Sequence, residues 1–100
     1  MTILWSMEYD IPKDEVSAAR YMKFIFDEEY SCKIMDKCKD IGAKLDVWTD
    51  GFHHIVLTIE FKDMDDYCKL FDNKDWKKIL WQIDQLVLNV KTRLMWPAGE

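Results

Sequence analysis

Residues that interrupt or cross-link a chain are scarce in this sequence. Its 100 residues include three glycines and two prolines, which leaves little room for linkers between domains. The three cysteines, Cys32, Cys38 and Cys68, are odd in number and form no C-x-x-C pair, so neither a disulfide framework nor a zinc ribbon is predicted. We therefore expect one domain over residues 1–100 with reduced thiols.

Basic charge and long apolar runs are also lacking. The net charge is −5, whereas binding to phosphate backbones needs a basic face, so nucleic acid is not an expected partner. Glu8 and Asp10 interrupt the first apolar run, where a signal peptide would need continuity. No run approaches the ~20 apolar residues that cross a bilayer as a helix. We therefore expect a soluble cytoplasmic protein that does not bind membranes.

Apolar residues are plentiful and periodic, at 49% of the chain. Near the start they alternate, which predicts a strand with one strongly apolar face made of Ile3, Trp5, Met7, Tyr9 and Ile11. A single long helix is predicted to follow, from Pro12 to about Ile41, with Gly42 as its left-handed C-cap. Residues on its predicted inner face recur every three or four positions: Val16, Ala19, Met22, Phe26, Tyr30, Ile34, Cys38 and Ile41.

The rest of the chain predicts a hairpin, two short helices and a last strand. The strands are AKLDVWT, HHIVLTIEF and VKTRLMW, and Asp63 and Asn73 are suited to cap the two helices between the third and fourth strands. The resulting order, β-α-β-β-α-β, predicts an α+β, ferredoxin-like fold. Its sheet should be antiparallel, with strand order 4-1-3-2 and the helices on one face.

The hairpin register decides which polar residues meet. A two-residue loop would pair Val47 with His54 and mix the apolar face with the weaker one. A three-residue loop, Thr49-Asp50-Gly51, pairs Leu45 with Ile55 and keeps one face apolar, and Gly51 can take the positive φ that such a turn needs. This register predicts that His53 faces the core and that His54 faces the helix-free side, opposite Asp46.

The segment MDDYCKLFDNKDWKKILWQIDQLVLNVKTRLMW resembles the C-terminal half of the dimeric α/β-barrel proteins, a superfamily that includes antibiotic-biosynthesis-type monooxygenases. The resemblance implies a homodimer in which two sheets face each other through their helix-free sides. It also implies that a substrate would lie between the sheet and the helices or inside the barrel. An independent argument also indicates a homodimer, because the predicted helix-free face has too much apolar surface to remain exposed to water. Its apolar residues are Leu4, Trp48, Phe52, Val56 and Met95.

The helix-free face also contains the candidate site. We predict that His54, paired with Asp46, acts as a base, and that Arg93 holds an anionic oxygen. Glu8 and Asp10 should approach His54 from one side, and Lys91 and Arg93 from the other. The predicted substrate-binding residues are Glu8, Trp48 and Phe52. A structural interpretation stays open, since cross-strand pairs such as Asp46 with His54 also stabilise a sheet.

No metal or cofactor is predicted. His53 and His54 are neighbours on a strand and should point to opposite faces, so they cannot bind one ion together. Haem-degrading members of the superfamily bind haem through a helical histidine, which this chain lacks. Three functions follow as hypotheses: a dimeric barrel that binds a small molecule, a cofactor-independent monooxygenase of aromatic or quinol substrates, and a subunit that mediates assembly. Regulatory ligand-binding domains of the same topology also stay open.

Overall fold

The structure is a computed structural model. It describes residues 2–51 and 53–99 and, within them, all side chains except those of residues 28–32. Eight elements follow one another: β1 (Ile3–Asp10), α1 (Glu15–Ile25), α2 (Glu28–Asp40), β2 (Lys44–Thr49), β3 (His54–Phe61), α3 (Met64–Phe71), α4 (Lys74–Leu86) and β4 (Leu88–Met95). The four strands form one antiparallel sheet in the order β2-β3-β1-β4. This confirms the predicted α+β, ferredoxin-like fold and its strand order. None of the described helices combines the length and the hydropathy needed to cross a membrane.

The core lies between the helices and one face of the sheet. Every second residue of β1 is buried there. The exposed fraction of these residues ranges from 0% for Ile3 to 4% for Trp5. The indole of Trp5 makes edge contacts with Phe71 and with Trp76, which is 1% exposed. The predicted inner face of β1 is therefore confirmed.

Three carboxylate or amide side chains fix where the helices begin. Asp63 accepts a hydrogen bond from the Asp66 amide at 2.9 Å, and Asn73 accepts one from the Trp76 amide at 3.1 Å. Both caps were predicted from the sequence. A third cap, Asp14, accepts from the Ser17 amide and starts α1 shortly after Pro12. Each such cap typically stabilises a helix by about 1 kcal/mol.

The prediction of one long helix from Pro12 to Ile41 is wrong. Helix α1 ends at Ile25, and α2 begins at Glu28. At the break the amide of Phe26 still donates a hydrogen bond to the Met22 carbonyl, but the Asp27 amide donates to the Phe24 carbonyl, three residues back, at 3.4 Å. The regular i to i−4 ladder therefore stops there, and the helical phase is not continued into α2.

The break also explains why the predicted inner face is wrong in its first half. Val16 and Phe26 are 65% and 71% exposed, and Met22 is 44% exposed. Helix α1 instead buries Tyr21, at 4% exposed. In α2 the predicted stripe holds, since Ile34 and Cys38 are buried; Tyr30 lies outside the described side chains.

The predicted hairpin register is also wrong. Leu45 pairs with Ile59 rather than with Ile55, and Thr49 is the residue that pairs with Ile55. The shift is an even number of residues, so each strand keeps its faces although its partners change. Gly51 does have positive φ, at 91°. The physical reason for the longer loop is a contact with the chain after β1: the Ile11 amide donates to the His53 carbonyl at 2.7 Å.

Candidate functional site

The register shift separates Asp46 from His54. Asp46 pairs with Thr58, and its carboxylate lies 3.9 Å from the Lys44 ammonium. Thr58 is four positions beyond His54 on β3, which is roughly 13 Å at ~3.3 Å per residue. The predicted Asp46–His54 pair is therefore wrong.

Two other predicted site residues, Arg93 and Trp48, also lie away from His54. Arg93 pairs with Ser6 on the far side of β1, in the row of the sheet that contains Asp46. Trp48 pairs with Val56 at the β2 edge and is 64% exposed. Phe52 lies outside the described residues. Of the described residues with a predicted catalytic or substrate-binding role, the structure brings only Glu8 to His54; Asp10, which was predicted to approach His54 as well, also does so.

His53 is not the core residue that the alternation predicts. It precedes β3, in the loop, and is exposed. His54 is the first residue of β3 and faces the helix-free side as predicted, with its side chain 39% exposed. The two rings therefore differ in their surroundings because only one of them belongs to the sheet.

The true partner of His54 is Asp10, at the end of β1. Its Oδ1 lies 2.7 Å from Nδ1 of His54, and its Oδ2 accepts a hydrogen bond from the Asn89 amide at 2.9 Å. Glu8 lies on the other side of the ring, with Oε2 3.7 Å from Nε2. We call these four residues, Glu8, Asp10, His54 and Asn89, the His54 cluster.

The backbone around Asn89 is unusual. Its φ is 56°, in the left-handed region that Asn tolerates better than most residues. The pairing of β1 with β4 also shifts between Glu8 and Asp10. Such bulges re-aim side chains, and here the irregular strand start places the Asn89 amide against Asp10. Asn89 was not predicted, because the last strand was expected to begin one residue later, at Val90.

The cluster alters the charge states of its members. The hydrogen bond to Asp10 raises the pKa of His54, partial burial opposes this, and the negative charges of Asp10 and Glu8 add to it. The hydrogen bond from Asn89, followed by that from His54, lowers the pKa of Asp10. The arrangement therefore favours an imidazolium next to an ionised carboxylate.

A recess of about 550 Å³ lies beside the cluster. It opens between the end of β1, the start of β3 and the start of β4. Its lining is mixed in charge and includes one lysine and three carboxylates: Asp10, Ile11, Lys13, Asp14, Asp50, His53, His54, Leu88 and Asn89. In the described part of the chain, no three histidine, cysteine or carboxylate side chains are placed to hold a metal ion together.

A second candidate site lies on the opposite face of the sheet, between it and helices α1 and α2. This cleft has a volume of about 220 Å³ and an apolar lining. We call it the tyrosine cleft; its lining residues are Tyr9, Tyr21, Ile25, Ile34, Met35, Leu45, Val47, Leu57 and Ile83. Val47 and Met35 are 60% and 64% exposed, and they mark the side of the cleft that is open to solvent.

Among the described lining residues, the polar side-chain groups are the two tyrosine hydroxyls. They lie 2.7 Å apart, and the rings meet edge to face with centroids 5.8 Å apart. Burial raises the pKa of Tyr21, so its hydroxyl resists ionisation more strongly than that of an exposed tyrosine. The strand alternation placed Tyr9 in the core, but Tyr21 was missed because the predicted helix face had the wrong phase.

The comparisons with known proteins support the fold. Neither a protein-family model nor a curated protein matches the chain. Among solved structures, a NIPSNAP family protein from Agrobacterium tumefaciens superposes with a TM-score of 0.60 at 18% identity, over 98% of this chain and 87% of that one. SnoaB, a cofactor-independent oxygenase from Streptomyces nogalater, gives 0.66 at 9% identity, over 99% and 95%. A dimeric ferredoxin-like protein from an uncultured marine organism gives 0.71 at 16% identity, over 99% and 90%.

The predicted resemblance to dimeric α/β-barrel proteins is thereby confirmed at the level of the fold. All three identities are low, and the likeness therefore extends to the arrangement of strands and helices, not to any particular activity. The similar structures include an oxygenase and proteins without a stated activity. The function of this chain must be argued from its own two candidate sites.

Proposed function

We propose that this chain is a homodimeric protein that binds a small, largely apolar molecule in the tyrosine cleft. The observation that supports this best is the composition of the described lining, which is apolar except for one pair of hydroxyl groups. Ligand sites commonly combine an apolar lining with a few polar groups that fix orientation. Leu57 and Val47 belong to the apolar part, and Tyr9 with Tyr21 to the polar part.

The size of the cleft limits the ligand. A cavity of about 150 Å³ holds benzene, whereas pockets for drug-sized molecules reach about 300 to 1,000 Å³. At about 220 Å³, the tyrosine cleft suits one or two rings. Each tyrosine hydroxyl has one proton and two lone pairs, so the pair can bond a hydroxyl or carbonyl oxygen of such a ligand.

The dimer is proposed from the opposite face of the sheet. Leu4 and Val56 lie there half-buried, Met95 is 38% exposed and Trp48 is 64% exposed. A second copy placed with its own helix-free face against this one would cover these residues symmetrically. One of the similar structures is described as dimeric.

Binding in the cleft can be tested with 1-naphthol, which has two rings and one hydroxyl. Its titration is followed through the NMR signals of the Leu57 methyl groups in methyl-labelled protein. We expect saturable shifts, with affinity lowered at least tenfold in Val47→Lys, because the change places a charged group at the open side of the cleft. Val16→Lys is the matched control, since Val16 is equally exposed, at 65% against 60%, but lies outside the cleft. Equal affinity in both variants would contradict the proposal.

Assembly is tested separately by sedimentation at micromolar concentration. The expected mass is twice the 12.0 kDa of the chain. Val56→Glu should give the monomer, because it would bury an unpaired charge near the centre of the proposed interface. Val16→Glu should remain a dimer. A wild-type protein that sediments as a monomer would contradict the proposed dimer. Ligand binding in the tyrosine cleft would still be tested by the 1-naphthol titration.

Cofactor-independent oxygenase activity is a second candidate. The fold similarity to SnoaB covers nearly the whole chain, and oxidation of a quinol begins with proton removal by a base. The described lining of the tyrosine cleft contains no carboxylate or imidazole, so a quinol that uses His54 as its base would have to bind on the helix-free face instead. Oxygen uptake with a naphthohydroquinone should then be lost in His54→Phe. Uptake that is the same with and without His54 would rule this candidate out.

A further inference from the structure

The His54 cluster has a geometry that a cross-strand ion pair does not require. Both carboxylate oxygens of Asp10 are engaged, one by the Asn89 amide at 2.9 Å and the other by Nδ1 of His54 at 2.7 Å. A carboxylate held at both oxygens cannot rotate freely, so it fixes the orientation of the imidazole. Nδ1–H donates to the Asp10 oxygen, and in the imidazolium the Nε2–H is the donor that remains for another group.

Nε2 faces Glu8 across a gap. Its distance to Oε2 is 3.7 Å, which is too long for a hydrogen bond of about 2.7 to 3.2 Å. An oxygen atom placed beside both atoms can reach each of them at about 2.8 Å. A hydroxyl group meets both needs, since its oxygen accepts a hydrogen bond from Nε2–H of the imidazolium and its O–H donates one to the carboxylate.

We propose that Nε2 of His54 and Oε2 of Glu8 form a second ligand site, on the helix-free face, that binds the hydroxyl group of a small neutral molecule. Asp10 and Asn89 are positioning residues for this site. The inference goes beyond the proposed function, because the tyrosine cleft lies on the other face of the sheet. In a dimer of the proposed kind, the site would face the interior of the barrel.

The site is accessible in the protomer and has room beside it. The side chains of His54, Glu8 and Asp10 are 39%, 33% and 37% exposed. The recess of about 550 Å³ is lined by His54 and Asp10 but not by Glu8, so it offers room next to the imidazole for the body of a ligand and leaves the hydroxyl to reach round the ring to Nε2. The left-handed backbone of Asn89 and the bulge next to it are of the kind that accumulates at functional sites.

The surrounding charges select a neutral ligand over an anion. Lys91 pairs with Glu8 from β4, and Lys13 lines the recess. With protonated His54, these are three positive groups. Four carboxylates face them, and they are Glu8, Asp10, Asp14 and Asp50. These groups carry one more negative than positive charge, so a carboxylate or a phosphate gains no net attraction there and a neutral phenol or alcohol is favoured.

The test uses phenol as the probe and the ring nitrogens of His54 as the reporter, in full-length protein with labelled histidine. Phenol should shift the Nε2 signal saturably, whereas benzoate should not. Glu8→Ala should weaken the response about tenfold, since a hydrogen bond to a charged group is lost. Asn89→Gly keeps a left-handed backbone and removes only the amide. It should weaken phenol binding without unfolding the protein, because Asp10 loses the hydrogen bond that holds it against His54.

The same measurement in Val47→Lys distinguishes this site from the tyrosine cleft. If the His54 response to phenol persists when the cleft is blocked, the second site stands independently of the proposed function. If Val47→Lys abolishes the response, His54 senses only the cleft, and the inference is overturned. It is also overturned if phenol gives no saturable shift at Nε2, or if Glu8→Ala and Asn89→Gly bind phenol as tightly as the wild type.

Discussion

Removal of one hydroxyl from the tyrosine pair perturbs the tyrosine cleft without changing its shape. Tyr21 and Tyr9 are 4% and 2% exposed, and their hydroxyl oxygens lie 2.7 Å apart. In Tyr21→Phe the ring keeps its edge contact with Tyr9, so the main loss is one buried neutral hydrogen bond. Such a bond contributes about 1 kcal/mol net. We expect that loss in the free energy of unfolding, which is about 5 °C in Tm for a domain of 100 residues.

The assay is a double-mutant cycle with Tyr9→Phe, followed by circular dichroism in urea and on heating. All proteins are compared at one concentration, because the Tm of a dimer depends on it. A direct bond predicts a coupling of about 1 kcal/mol, so that the double variant is more stable than the sum of the single losses implies. Additive losses would refute the bond, and with it the polar end of the cleft.

Three further predictions concern the rest of the fold. Asp63→Ala should cost about 1 kcal/mol of unfolding free energy in urea, because the first turn of α3 loses its cap; a change near zero would contradict the cap. Trp76→Ala should lower the free energy of unfolding by about 3 to 5 kcal/mol, because it leaves a cavity in the core. Trp81→Ala, at a position 64% exposed, should change it by no more than ~0.5 kcal/mol. Similar losses in the two variants would contradict the assigned faces of α4. Burial raises the pKa of the Cys38 thiol to about 11, so iodoacetamide at pH 8 followed by peptide mapping should modify exposed Cys68 and spare Cys38 until the protein unfolds.

The raised pKa of Tyr21 adds a prediction about pH. The unfolded chain releases the tyrosine proton above about pH 10, while the folded protein, with its higher pKa, retains it. The stabilisation from this group is therefore complete below about pH 10 and is lost as the pH rises from there towards the folded pKa. Urea unfolding between pH 9 and 11 should show a steeper decline for the wild type than for Tyr21→Phe. Parallel curves would contradict the assigned burial.

Several features of the fold could be predicted because local chemistry and the tertiary structure agree on them. The alternation in β1 runs from Ile3 to Tyr9 without a break, and a period of two can be buried only as a strand. Asp63 and Asn73 stand directly before apolar helical patterns, and both act as caps. Right-handed connections then leave few topologies to choose from.

The helix break could not be predicted because no helix-breaking residue lies at it. Neither glycine nor proline occurs near Phe26 and Asp27, so the periodic apolar pattern continues across the break. Packing on the sheet decides the phase of α1 instead, and it buries Tyr21 rather than Val16. This one error concealed the polar end of the tyrosine cleft.

The candidate site on the helix-free face was predicted only in part, because hairpin length is not a local property here. The bond from the Ile11 amide to the His53 carbonyl joins the loop to the end of β1, and no turn rule contains that contact. The face to which each residue of β3 points was predicted correctly, which is why His54 faces Glu8 and Asp10 as expected. The partner across the hairpin was wrong, and Asp46 lies elsewhere.

The central claim, that the tyrosine cleft binds the ligand, is tested most directly by the position of bound 1-naphthol. Intermolecular NOEs to methyl-labelled protein can distinguish the two faces, because Leu57 lines the cleft and its neighbour Val56 lies on the helix-free side. The account predicts NOEs from the naphthol rings to the methyl groups of Leu57 and Ile25. NOEs to Val56 alone, or none at saturating 1-naphthol, would contradict it.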